Sequence, residues 1–441
     1  MVAIPFKAPN QGFRMPPRRG KLQTMAQITD DCFAFGGALL SIEDGIALIH
    51  QRVDASSTRE IVPVLQADGR VLAEDIRAPI DLPPCDNAAV DGYAVRHADL
   101  AANGPTRLQM DGRDVAGAVG SKPIEPGTAR RIFTGARMPA GADTIFMQED
   151  VRTDGTDVVL PPGLKRGANA RHRGEDIPAG TIALPSGRRA RPQDIALAAA
   201  LGLTHLPVRK RPRIAIFSTG NEIVAPGATP GPGQIFDANR FLLASLVTRA
   251  GGVVTDLGIL PDDPTVIARA LAGAAIRHDL LLTSGGVSTG EEDHVKAAVE
   301  TIGRLVFWRL AIKPGRPIAM GVIQGVPFCG LPGNPVAAFI TFAHVVRPLM
   351  ARLAGETWDK PLPFPVRAAF PYRKKAGRRE YARVRLVTAA DGTIEAHKHA
   401  QEGAGILSSL TATHGLVELP EPVTSVAPGD TVGFLSYDSL I

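Results

Sequence analysis

The chain has 441 residues, 44% of them hydrophobic, with 49 Lys and Arg against 44 Asp and Glu. This length and apolar share exclude a disordered chain and predict two to four globular domains. Five of the cations (Lys7, Arg14, Arg18, Arg19 and Lys21) lie in residues 1–21, which hold no acid, so the remaining 44 basic residues balance the 44 acidic ones and no nucleic-acid-binding face is expected.

Residues 1–25 read as a disordered basic tail, or as an over-long start with Met25 as a later initiator. No continuous apolar segment near the N-terminus suggests a secretory signal, and no apolar run approaches the length needed to span a bilayer. The three cysteines, Cys32, Cys85 and Cys329, are odd in number and widely spaced. They predict reduced thiols in a cytoplasmic protein, without a disulfide frame or a CxxC metal site.

Along the chain, Ser41 followed by Asp44 marks a capped helix start, with Ile42, Ile46 and Ile49 on one apolar face. Residues 60–77 read as a helix-to-strand connection or a hairpin about Asp68-Gly69. From about 78 to 170, Gly and Pro recur at short intervals, as in a small β domain. Polar turns follow, then a helix over 192–201 and a basic joint at 208–212. Between 213 and 352 the pattern changes. Apolar runs at 214–217, 253–257 and 280–283 alternate with helical stretches at 240–250, 264–275 and 291–301, a βαβ rhythm that predicts a parallel sheet covered on both faces. A Pro-rich linker at 360–365 opens a last segment that reads as a small β barrel or sandwich.

Several segments carry chemistry. Residues 82–96 read LPPCDNAAVDGYAVR, with Asp91-Gly92 as a tight-turn signal that holds the Asp91 side chain free at a loop tip. Taken alone this is an acidic turn. Thr134-Gly135 falls at a strand end, and Arg171-His172-Arg173-Gly174-Glu175-Asp176 mixes guanidinium groups with acids, as a surface salt-bridge cluster would. Ser218-Thr219-Gly220-Asn221-Glu222 follows a buried strand, where ligand contacts in α/β sheets are expected. Thr283-Ser284-Gly285-Gly286, continuing through Ser288 to Gly290, reads as an anion nest, and the acids Glu291, Glu292 and Asp293 after it would need a divalent cation such as Mg²⁺ beside a phosphate. Pro332-Gly333-Asn334-Pro335 reads as a strand-to-helix turn with Asn334 as N-cap. Arg309, Lys313 and Arg316 gather three cations, the first two on one strand face, as candidates for an oxyanion or phosphate.

In order, the segments DNAAVDGYAVR, RIFTGARMPAGAD, MQED, RGEDIPAG, FSTGNEI, GQIFDANR, SGGVSTGEEDHVK, LAIKPGRP and GLPGNP closely resemble the motif series of the molybdopterin molybdenumtransferases, the MoeA family, to which the E domain of gephyrin belongs. The match runs from 41 to about 350 and is looser beyond, through Gly377-Arg378 and Ser408-Ser409. The resemblance implies a multidomain α/β plus β chain: a discontinuous N-terminal mixed domain (26–77 and 166–210), a β-rich inserted domain (78–165), a molybdopterin-binding-type three-layer α/β domain (211–354) and a C-terminal β-barrel-like domain (360–441).

It also implies a homodimer with its site in a cleft between protomers, and insertion of molybdenum from molybdate into adenylylated molybdopterin with release of AMP and a need for Mg²⁺. Carried onto this sequence, the catalytic groups are Asp91, Thr134, Asp176, Glu222, Asp293 and Lys313, and the metal ligands Glu222, Asp262 and Asp293. Substrate contacts are Ser218, Thr219, Gly220, Ser284, Gly285, Gly286, Ser288, Gly290, Pro332, Gly333, Asn334, Arg309, Arg316, and one of Arg378 or Arg379. Arg309 stands where the family leads one to expect Lys, and Ala88 where it has Ser. Expected partners are a molybdopterin adenylyltransferase upstream and apo-molybdoenzymes downstream, with neither nucleic acid nor membrane. A molybdopterin adenylyltransferase and a non-catalytic molybdopterin-binding scaffold are the competing readings.

Overall fold

The computed structural model describes residues 39–56, 58–118, 122–286 and 294–441. The expectations for residues 1–25, Cys32, Ser288, Gly290 and Glu291 to Asp293 lie outside the described residues.

The first helix, Ile42–Arg52, starts as its sequence predicts: Ser41 Oγ accepts from the Asp44 amide at 3.0 Å. Its apolar face does not pack locally. Leu40, Ile42, Ile49 and Val53 join the same buried cluster as Trp308, Leu349 and Leu353, more than 250 residues further along the chain. The segment at 60–77 is not a hairpin: a short 3-10 helix, Val64–Ala67, follows the first strand and leads towards the strand Ile76–Arg77. Strand Arg59–Pro63 pairs antiparallel with His205–Arg209, and Ile76–Arg77 with Ile182–Leu184. Between these pairings the chain leaves to form a six-stranded sheet in the order Thr144–Met147, Gly92–Val95, Thr128–Ile132, Thr106–Asp114, Asp157–Leu160, Arg152–Asp154.

The α/β region is three-layered because both faces of its strands are apolar. Ile214, Ile216, Leu280 and Leu282 face helices Asn239–Arg249 and Pro335–Thr341, whereas Ala215, Phe217 and Leu281 face Pro264–Ala275 and His294–Ile302. The sheet order is Val253–Leu260, Arg213–Thr219, Leu280–Ser284, Val326–Leu331, Pro317–Ile323, Gly303–Arg309. It is mixed, not wholly parallel. Pro317–Ile323 runs against both neighbours, because the two-residue Gln324-Gly325 turn, with φ of 50° and 80°, forces a hairpin there.

The helical run Pro335–Leu353 bears on the expectation that no apolar run is long enough to span a bilayer. It is long and apolar enough to cross a membrane, but 89% of its most apolar window is buried inside the protein, where it forms a core helix with a π turn at Phe342–Val346. The last segment is a barrel, not a sandwich. Strands Arg379–Thr388, Ile394–Lys398, Phe364–Ala368, Thr431–Ser436 and Gly415–Leu419 pair in a closed cycle around Val366, Val384, Ala396 and Val417. A two-residue strand, Ile312–Lys313, leaves the α/β region and pairs parallel with Arg379–Glu380 of the barrel.

Arg379 ties these parts together. Its guanidinium reaches Glu43 of the first helix at 2.8 Å, Glu418 at 3.2 Å and Glu421 at 3.1 Å, and Lys360 of the linker meets Glu43 at 2.7 Å. Partial burial of Glu43 raises its pKa, but the hydrogen bonds from Lys360 and Arg379 outweigh that and hold it at about 2.

Two buried features generate measurable outcomes. His344 lies in the π turn, stacked on Tyr381 with ring centroids 4.7 Å apart, and its Nε2 has no hydrogen-bond partner among the described residues. Burial, reinforced by Lys360 and Arg379, pushes its pKa down to about 3. The folded state therefore keeps His344 neutral while the unfolded chain protonates it near the ordinary value of 6.5. This stability contribution is full above pH 6.5 and is lost as pH falls towards 3, by up to about 1.4 kcal/mol per pH unit. Urea unfolding at stepped pH should show that slope, and His344→Phe, which keeps the stack, should flatten it. In the inserted sheet, a Cβ on Gly92 would sit 1.9 Å from the Phe146 carbonyl oxygen. Gly92→Ala should lower stability by about 1–3 kcal/mol or more, read from the urea midpoint.

Candidate functional site

The Asp91-Gly92 step is not the tight turn its sequence suggests. Gly92 opens a strand hydrogen-bonded on both sides, to Ile132 and to Met147, and is needed because the Phe146 backbone passes too close for any side chain. Nor is the Asp91 side chain free. Its Oδ1 accepts from the Thr134 amide and the Thr134 hydroxyl, both at 2.7 Å. Those two bonds, with the nearby Arg131 charge, hold the carboxyl below the usual Asp range. Arg131 is itself fixed over the rings of Tyr93 and Phe133, at 5.0 and 4.9 Å from their centroids.

Asp176 is exposed on a turn whose backbone is anchored by its own amide to the Leu82 carbonyl at 3.0 Å. The surrounding acids are structural. Asp81 pairs with Arg173 and accepts from the Ala179 amide, and Asp86 accepts from the Arg173 amide at 2.7 Å. Strand Asn87–Ala88 pairs with Ala170–Arg171, so the Asp91 and Asp176 segments lie against each other. A cavity of about 580 Å³ opens beside them, lined by Cys85, Asp86, Arg137, Met138 and Arg173 among others.

In the α/β region three adjacent parallel strands end side by side, and their loops converge. Asn239 Nδ2 donates to Ser284 Oγ at 2.9 Å and to the Gly333 carbonyl at 2.6 Å. Ser284 Oγ donates to the Pro332 carbonyl at 2.8 Å, and the Gly285 amide to the Leu331 carbonyl at 3.0 Å. Gly285 and Gly333 meet backbone to backbone: a Cβ on Gly333 would be 3.6 Å from the Gly285 Cα. Gly286 takes φ of +67°, where a Cβ would strike Thr219 at 2.7 Å. Asn239 is thus the joint of the loop cluster. It sits one residue inside a helix, in the quoted GQIFDANR segment, and its role was missed because nothing local distinguishes it from a polar first-turn residue. Asn334 occupies the N-cap position of Pro335–Thr341, but its side chain makes no capping bond. Ser218 Oγ is buried and has no partner among the described residues.

Thr219 Oγ1 donates to Asp262 at 3.2 Å, and His294 lies 3.9 Å from the same carboxylate. The Glu222 carboxylate folds back over Gly220, where a Cβ would come within 2.4 Å of its Oε2. Among the described residues no three His, Cys, Asp or Glu side chains converge on a point.

Arg309 and Lys313 do not share one strand. Arg309 ends the α/β strand Gly303–Arg309, opposite Pro317, whereas Lys313 belongs to the short strand paired with the barrel. The chain changes sheets between them, and that crossing has no mark in the alternation pattern. Arg316 is exposed in the return turn. Lys313 instead lines a cavity of about 410 Å³ with Tyr372, Tyr381, Arg383, Lys398 and Glu402 of the barrel. Arg383 was not singled out by sequence, although it shares the alternation of Arg379 and Tyr381. Its guanidinium donates to the carbonyls of Gly403 at 2.9 Å and Gln401 at 3.0 Å and to Ser409 Oγ at 2.9 Å. Arg378 does not line this cavity: its Nε donates to Glu380 at 2.6 Å. The Val336 amide bonds to the Ala404 carbonyl at 3.0 Å, so the barrel wall adjoins the third α/β loop.

This arrangement, an α/β domain with converging loops, an interrupted N-terminal domain and a terminal barrel, defines a multidomain α/β plus β protein with its candidate site at the α/β loops and the barrel. Family profiles agree along the chain: the MoeA N-terminal region (domain I and II) over 40–202, a probable molybdopterin binding domain over 215–352, and the MoeA C-terminal region (domain IV) over 365–437. The molybdopterin molybdenumtransferase of Haemophilus influenzae is 35% identical over 406 residues, covering 91% of this chain and 100% of the relative. Molybdopterin molybdenumtransferase 2 of Mycobacterium tuberculosis is 36% identical over 404 residues, with coverage of 86% and 96%. The crystal structure of the molybdopterin biosynthesis MoeA protein from Pyrococcus horikoshii superposes with a TM-score of 0.75 at 30% identity, over 90% of this chain and 99% of that one. The chain belongs to the molybdopterin molybdenumtransferase (MoeA) family, transferases of molybdenum cofactor biosynthesis.

The Asp91–Thr134 pair can be tested by titration. Thr134→Val removes the hydroxyl donor and keeps the amide, so the Asp91 carboxyl should titrate higher than in the parent protein, followed by ¹³C NMR of the side-chain carboxyl. The sign follows from the lowered folded pKa: the pair stabilises the fold above the ordinary Asp range, and the contribution is lost as pH falls through the folded value.

Proposed function

We propose that this chain inserts molybdenum from molybdate into adenylylated molybdopterin, releasing AMP. The observation that carries the reading is the loop cluster joined through Asn239 and Ser284 next to a cationic cavity. The loops offer backbone amides and hydroxyls to a phosphorylated pterin, with Ser218 Oγ and the uncapped Asn334 side chain as further contacts. Lys313, Arg383 and Lys398 offer cations to the molybdate dianion. In the transfer, two thiolates of the substrate's own dithiolene replace an oxo ligand of molybdate, which departs as water after taking two protons; one water cleaves the P–O bond of the pyrophosphate, leaving the phosphate on the pterin and releasing AMP. The protein needs no nucleophilic cysteine for this; position and electrostatics suffice.

Glu222, Asp262 and Asp293 would hold Mg²⁺, which would offset the charge of the substrate's pyrophosphate. Asp91, fixed by Thr134, and Asp176 would stand across a cleft completed by a second copy of the chain. The exposed Ile235, Phe236 and Phe241, close in sequence to Glu222, give such a homodimer an apolar surface to bury. We place the protein in the cytoplasm, receiving its substrate from an adenylyltransferase and passing cofactor to apo-molybdoenzymes.

The test is AMP release from adenylylated molybdopterin and Mg²⁺, with and without molybdate, coupled to reconstitution of an apo-molybdoenzyme. Molybdate-dependent AMP release that activates the apo-enzyme is the expected result. ATP consumption would point to the adenylyltransferase, and tight substrate binding without turnover to a scaffold. Asp91→Asn should cut insertion at least tenfold while the circular dichroism spectrum and sedimentation stay unchanged; parent-like rates in that variant would remove Asp91 from the mechanism.

A further inference from the structure

The cavity between the LAIKPGRP loop and the barrel is organised by a residue that does not line it. Glu380 is 1% exposed and faces Lys313 across the short parallel strand pair. Its Oε2 accepts from the Tyr372 hydroxyl at 2.8 Å and lies 3.4 Å from Lys313 Nζ. Its Oε1 accepts from Arg378 Nε at 2.6 Å. Both oxygens are therefore satisfied, as a buried carboxylate requires.

The Tyr372 ring, fixed at its hydroxyl end, in turn lies beneath Lys398, whose Nζ is 5.4 Å from the ring centroid and also pairs with Glu402. One buried carboxylate thus reaches two of the three cavity cations, Lys313 directly and Lys398 through Tyr372. The third, Arg383, is held independently by backbone carbonyls and Ser409. Lys is a flexible point charge, and fixing it in advance removes an ordering cost from anion binding. Among the groups that line the cavity, Lys313, Arg383 and Lys398 stand against Glu402, which leaves two net positive charges around it. That balance suits a compact dianion.

We propose that Glu380 is the positioning residue of the cavity, holding Lys313 and the Tyr372–Lys398 pair in the geometry that accepts a tetrahedral oxyanion dianion. This rests on the reading of the cavity as the molybdate site. Glu380 acts through Lys313 and Tyr372 and touches no substrate itself.

The experiment is calorimetric titration of the full chain with molybdate. Glu380→Gln should weaken molybdate binding at least fivefold, Glu380→Asp should recover part of the loss, and the KM for molybdate should rise while that for adenylylated molybdopterin does not. In a Lys313→Met/Tyr372→Phe background, Glu380→Gln should cost less than twofold, because both links through which it positions the cations are gone. The coupling, not the single loss, separates positioning from a general effect on the barrel. Equal losses in both backgrounds would overturn the proposal, as would Glu380→Gln binding molybdate as tightly as, or more tightly than, the parent, which would leave Glu380 as a charge balance only. Parent protein that binds no molybdate would overturn it too. Parent protein that binds molybdate with the expected coupling, yet releases no AMP in its presence, would sink the transferase reading and leave this inference standing.

Discussion

The two-residue strand Ile312–Lys313 is the constraint on which the rest of the site depends. A βαβ domain normally closes on itself, and its last strands feed helices that cover the sheet. Here the chain leaves the sheet after Arg309, pairs for two residues with Arg379–Glu380, and returns at Pro317. That excursion fixes the barrel beside the α/β loops. It places Lys313 in the barrel cavity, and the partner strand it pairs with carries Arg379 into the clamp on Glu43, Glu418 and Glu421. Without the pairing, Arg379 and Glu380 would be two adjacent charges on a barrel edge. With it, one anchors the N-terminal helix and the other faces the cavity lysine.

The α/β loops are built on a different principle. Neutral hydrogen bonds, not ion pairs, join them: Asn239 to Ser284 and Gly333, and Ser284 to Pro332. Glycines at 285, 286 and 333 let backbones touch where side chains would separate them. An anion nest made of backbone dipoles keeps its geometry when its ligand leaves, because the amides carry no net charge to repel one another. The barrel cavity uses full charges, and full charges need fixed counter-charges. Glu380, Glu402 and the carbonyls around Arg383 supply them.

Much of this could be read from local pattern. The Ser41 cap, the βαβ rhythm and the motif order depend on neighbours within a few residues, and those signals survive in a linear sequence. What could not be read depends on where the chain returns. Strand Arg59–Pro63 finds its partner at His205–Arg209, and an Asp-Gly pair that reads as a turn is a strand start held by the Phe146 backbone. The alternation that put Arg309 and Lys313 on one face is real in the sequence, but the residues between them cross from one sheet to another. Asn239 and Glu380 were invisible for the same reason: each matters through residues more than 40 positions away or on another domain.

The distribution of acids follows from these two principles. A pyrophosphate and a molybdate dianion repel each other, so the cations that attract one must not be neutralised by carboxylates serving the other. Glu380 is spent on Lys313, Arg378 and Tyr372, deep enough to offer nothing to a ligand. Glu222 and Asp262 sit instead at the α/β loops, folded over Gly220 and bonded to Thr219, where a divalent cation would turn them from repulsive to attractive. Asp91 is placed on the inserted sheet, where the two Thr134 hydrogen bonds and the Arg131 charge hold its carboxyl below the usual Asp range. Asp91 and Glu380 are each held by donors of their own, Thr134 for the one and Tyr372 and Arg378 for the other, and neither draws on the donors of the other.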